Sequence, residues 1–116
     1  MTDKRIVLVT CKSTAEARRI GRVLVESRLA ACANVLRTPI ESIYRWRGNV
    51  ERAREVLLIL KTTRARFRAL QDAVRKAHSY EVPEIIGMPI AEGLPAYLNW
   101  IADSTSQDKA GKRKRK

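Results

Sequence analysis

Ile6-Val7-Leu8-Val9 is apolar at every position and stops at Thr10-Cys11, the pattern of a short strand buried on both faces. Ser13 stands three residues before Glu16, the spacing of a capping box that opens a helix. Ala17, Ile20, Val23 and Leu24 fall on one side of that helix, and Arg18, Arg19, Arg22 and Glu26 on the other. It should close near Arg28 or Leu29. Cys32 to Arg47 follows as an extended stretch in which Pro39 marks a bulge or an edge position. Gly48-Asn49 is a two-residue hairpin signal, with glycine supplying the positive φ. Val50 to Thr62 is the returning strand, and Val56 to Leu60 is apolar throughout.

Thr63 can cap a second helix, in which Phe67, Leu70, Val74 and Ala77 recur on one face. The pattern breaks over His78 to Glu84 and resumes as a fourth strand from Ile85 to Ile90. Pro95 sits near the first position of a last short helix whose apolar side is Tyr97, Leu98 and Ile101. The order β-α-β-β-α-β plus a C-terminal helix predicts an α+β fold, a ferredoxin-like sandwich with two helices on one sheet face. Right-handed crossovers give the strand order 4-1-3-2. Side chains alternate faces along a strand, so the unbroken apolar runs need burial on both faces. Two helices cover only one face. The other predicts a homo-oligomer packed sheet against sheet.

The chain has 116 residues, of which 45% are hydrophobic and 31% charged. That is one domain with one core, and it excludes wholesale disorder. No apolar run approaches the roughly 18 residues of a membrane span. The N-terminal apolar run is too brief for a signal peptide, so the expected location is cytoplasmic. Charge is the anomaly, at a net +12. Residues 103–116, ending Lys-Arg-Lys-Arg-Lys, carry six basic and two acidic groups and no apolar face. They predict a disordered basic tail, either an arm for nucleic acid or a solvated extension.

Candidate chemistry is sparse. Cys11 and Cys32 form neither a CxxC pair nor a zinc-finger spacing. The topology places Cys11 at the end of the first strand and His78 at the end of the second helix, on the same edge. Cys32 starts a strand at the other end, so no disulfide is expected. Imidazole and thiolate together suit copper or zinc, although two ligands make an open site. The alternative is a loop histidine beside a buried thiol. Tyr80, Glu81 and Glu84 lie in the same connection and either complete a polar cleft or solvate a loop. Phosphate-loop, HExxH and GxSxG motifs are all absent, and no enzyme is expected. Tyr44, Trp46 and Trp100 read as packing anchors, since the third strand lacks the aromatics of an RNA-binding sheet.

Several segments carry a resemblance. Thr10-Cys11, Leu29 to Asn34, Ser42 to Gly48, Leu60-Lys61-Thr62, His78 to Ile85 and Tyr97 to Trp100 resemble the CutA divalent-cation-tolerance family, over residues of about 5 to 102. The resemblance implies a ferredoxin-like domain over residues 1–102, a homotrimer similar to PII signalling proteins, and tolerance of copper and other divalent cations in the cytoplasm. It implies metal ligands at His78, which matches the family histidine implicated in copper binding, and at Cys11, which lies close to the family's strand-one cysteine. Cys32 matches the family's Ala-Ala-Cys position. Lys12 stands where many members have proline, and the basic tail has no family counterpart. The competing class is a PII-like signalling trimer that takes a partner or small ligand in its intersubunit clefts. Nucleic acid is expected only through the tail.

Overall fold

A computed structural model describes residues 2–107. Its elements are β1 (Lys4–Cys11), α1 (Thr14–Glu26), β2 (Cys32–Trp46), β3 (Asn49–Thr63), α2 (Arg64–Ala77), β4 (Ile85–Pro89) and α3 (Pro95–Ser104). The four strands form one sheet in the order β2-β3-β1-β4, and each neighbouring pair is antiparallel. This is the expected ferredoxin-like arrangement.

Helices α1 and α2 start where hydroxyl side chains receive an orphan amide. Ser13 Oγ accepts from the Glu16 N–H at 3.1 Å, and Thr63 Oγ1 accepts from the Arg66 N–H at 3.3 Å. The core lies between the helices and one sheet face. Val7 and Val9 of β1 and Leu58 and Leu60 of β3 meet Ile20 and Leu24 of α1 and Leu70 and Val74 of α2, and all are fully buried. Each such aliphatic side chain contributes about 2 kcal/mol on removal from water. Helix α2 approaches β4 so closely that a Cβ on Gly87 would stand 2.9 Å from Phe67 Cε1. Any side chain there would have to push the Phe67 ring aside.

Three expectations shift. Helix α1 closes at Glu26, because Arg28 takes a left-handed φ of 62° and the Leu29 and Ala30 amides turn back onto the Leu24 carbonyl. The hairpin turn is Arg47-Gly48, one residue earlier than Gly48-Asn49: Trp46 pairs with Asn49, and φ is 51° and 85° at the two turn residues. Two successive positive φ values are those of a type I′ turn. Pro39 does sit in an irregularity, between Leu36 and Ile40.

The third concerns the C-terminal end, where the tail was expected to begin after residue 102. Helix α3 runs to Ser104, and Thr105 is buried, with its carbonyl accepting from Arg66 Nε at 2.8 Å. Residues 103–105 therefore pack with the domain. The rest of the expected tail from 108 onward lies outside the described residues.

Tyr97 brings its hydroxyl to 4.0 Å from Cys32 Sγ, and Cys32 pairs with Lys61, out of phase with the core positions Leu58 and Leu60. Helix α3 thus lies toward the sheet face that α1 and α2 leave open. It covers that face in part: Ile6, Leu8, Leu57 and Ile59 are half-buried, while Leu36, Ile86 and Met88 remain exposed. Among the described residues no helix is long and apolar enough to cross a membrane.

Candidate metal centre

Strand β1 ends at Cys11, and α2 ends one residue before His78, so the antiparallel layering delivers both to one edge. The first turn of α1 adds Glu16. The Cys11 thiol, a Glu16 carboxylate oxygen and a His78 ring nitrogen all lie within 4.8 Å of one another, and all three residues are buried. Donors sharing one tetrahedral zinc at ordinary bond lengths lie about 3.5 Å apart. The donor set suits a borderline or soft divalent cation in its chemistry, and holding one requires the three groups to close by up to about 1.3 Å.

His78 and Glu16 are already engaged. His78 Nε2 lies 2.8 Å from the Thr10 carbonyl, which can only accept, so this nitrogen carries the proton. Its Nδ1 accepts from the Tyr80 N–H at 3.0 Å. Glu16 Oε1 accepts from the Lys12 N–H at 3.0 Å and Oε2 from the Ser79 N–H at 2.9 Å. Burial is the largest influence on this carboxyl and opposes its charge. The hydrogen bonds from Ser79 and Lys12, with His78 nearby, outweigh it and hold the carboxyl below its usual range. The Cys11 thiol is pushed up to about 12, first by burial and then by the charges of Glu16 and Glu55. It is kept as S–H, so a metal must displace its proton.

Cys32 is elsewhere. Cys11 pairs with Val56 and Cys32 with Lys61, five positions or roughly 17 Å further along β3. Both cysteines are free, and Cys32 is half-exposed, with Asn34 Oδ1 at 3.6 Å. The edge therefore joins Cys11 and His78, adds Glu16 and leaves Cys32 apart.

Beside this edge opens a cleft of about 660 Å³, between the β2–β3 hairpin and the loop after His78. Tyr80, Glu81 and Glu84 line it, as does Glu55. Burial pushes the Tyr80 hydroxyl above its usual range, and the nearby Glu55 carboxylate adds to this. Glu16 and Glu55 are the two site residues the sequence did not single out. For Glu16 the signal was present but fitted a capping box; for Glu55, in a charged hairpin strand, there was none.

A four-stranded antiparallel sheet with a mixed soft and hard donor set at the end of β1 defines a small ferredoxin-like protein with a candidate cation site. The model of the family described as CutA1 divalent ion tolerance protein matches residues 5–104, and the chain belongs to that family. The divalent-cation tolerance protein CutA of Thermus thermophilus is 46% identical over 102 residues, 88% of this chain and 98% of that one. Its solved structure superposes with a TM-score of 0.86, covering 89% of this chain and 99% of that chain. The Xylella fastidiosa CutA structure, 36% identical, gives 0.87 over 90% of this chain and all of that one. A structure described as the periplasmic divalent cation tolerance protein CutA of Archaeoglobus fulgidus, 38% identical, gives 0.85 over 89% of this chain and 99% of that chain. None of these names carries an enzymatic activity.

Proposed function

We propose that this protein serves divalent-cation tolerance by binding the cation itself, copper foremost, as a cytoplasmic homotrimer. His78 is the principal ligand, with Cys11 and Glu16 completing the set; Cys32 enters only if a second copy brings its edge alongside. The observation that carries the reading is the gathering of three buried donors within 4.8 Å at one end of the sheet. Thiolate, imidazole and carboxylate together match copper or zinc better than magnesium or calcium. The shared family name supports this reading over that of a PII-like signalling trimer. The exposed Leu36, Ile86 and Met88 on the open sheet face support assembly.

The hydrogen bonds of the same cluster favour a second reading, in which His78 and Glu16 clamp the fold and hold no metal. Copper titration of the purified protein, with and without His78→Ala, separates the two. Metal binding predicts saturable uptake lost in the variant. A clamp predicts unchanged uptake with a lowered melting temperature. Sedimentation at micromolar concentration tests the trimer.

A further inference from the structure

We propose that the cleft beside the His78 edge is a binding site for a small organic cation, a guanidinium or primary ammonium on a short apolar stem. Glu55 carries the inference. Its side chain lines the cleft together with Tyr80, and the residue is only 6% exposed. Among the described residues no Lys, Arg or His forms an ion pair with it. A cation entering the cleft would give this carboxylate an ion-pair partner shielded from solvent.

The walls fit the rest of such a ligand. Tyr44, Trp46 and Tyr80 supply aromatic surface, with Glu81 and Glu84 near the mouth. Aromatic faces attract cations through their quadrupole, and they also cover an apolar stem. The rim already displays this chemistry within the chain: the Arg47 guanidinium lies 5.4 Å over the Trp46 ring and donates to Glu81 at 2.9 Å. A cleft with three carboxylates, on a chain of net charge +12, is a local reversal of sign. It selects against the anions that the rest of the surface attracts. At about 660 Å³ it has the capacity of a small-molecule site.

The test is calorimetric titration of the full-length protein with n-butylguanidinium, alongside the neutral n-butylurea of the same shape. The expected result is saturable binding of the cation and binding of the urea at least tenfold weaker. Glu55→Gln keeps the shape and removes the charge, and should weaken the cation at least tenfold while leaving the urea unchanged. Trp46→Leu and Glu84→Gln, at exposed positions, should each weaken it several-fold and keep the test decisive should Glu55→Gln fail to fold. Equal affinity for the urea, or no effect of all three substitutions, overturns the proposal. So does loss of the oligomer on adding the cation, which would assign the cleft to a basic side chain of a second copy.

Discussion

Glu16 Oε2 accepts from the Ser79 N–H at 2.9 Å, joining the first turn of α1 to the loop after α2 across 63 residues of sequence. Its other oxygen holds the Lys12 amide at the end of β1. One carboxylate thus fixes the two chain segments that present Cys11 and His78. Glu16→Ala removes the shared acceptor of two part-buried amides and should cost about 1–3 kcal/mol in chemical denaturation. Its folded-state carboxyl is held below the ordinary value of about 4.3, so the stability it contributes is present above that pH and lost as pH falls through the folded value. Stability of Glu16→Gln followed from pH 6 down to pH 3 should therefore decline less than that of the wild type.

Gly48 takes a φ of 85°, and an added Cβ would meet nothing within 4 Å. Gly48→Ala is thus a test of backbone strain alone, since no contact changes. It should lower stability by about 1 kcal/mol, read as a shift in denaturant midpoint with an unchanged slope.

Thr105 is buried beneath the end of α3, donates to the Ile101 carbonyl and accepts from Arg66. Deleting residues 104–116 should lower the melting temperature by several degrees, about what 1 kcal/mol costs a domain of this size. Deleting only 109–116 keeps these contacts and is the comparison.

The meeting of Cys11 and His78 was legible because it depends only on topology: strand one and helix two end at the same edge whatever the side chains do. Glu16 was hidden by ambiguity. The Ser-x-x-Glu spacing is half fulfilled, since Ser13 does cap the Glu16 amide, but the carboxylate reaches Lys12 and Ser79 in place of Ser13. Glu55 is buried by a loop distant in sequence, which no local pattern reports. The hairpin slipped by one residue because Arg47 accepts a left-handed φ that pattern reasoning assigned to glycine first. The packing of α3 on the open face depends on Tyr97 meeting Cys32, again a long-range contact.

Cys11 is fully buried and Cys32 half-exposed. Since the thiolate is the reactive form, a thiol held up to about 12 and out of solvent resists alkylation. In the native protein, maleimide should modify one thiol per chain rapidly, and Cys32→Ser should abolish that phase. The second thiol should react only on unfolding. Two fast thiols would mean that the end of β1 is open.

Copper binding provides the sharpest test of the edge. If Cys11 donates a thiolate, each ion bound expels the thiol proton, because that proton is retained up to about pH 12. Apparent Cu(I) affinity should then rise about tenfold for each pH unit between 7 and 9, as displacement of one proton requires. Cys11→Ser should flatten that slope and weaken Cu(I) more than Cu(II), since thiolate is the softer ligand. His78→Ala should lose at least tenfold for both ions, about 1.4 kcal/mol. Cys32→Ser, at the far end of the strand register, should change neither affinity nor slope. Competition with a chelator of known affinity at each pH provides the measurement. Loss of binding in Cys32→Ser, with Cys11→Ser and His78→Ala intact, would move the site to the other end of the sheet.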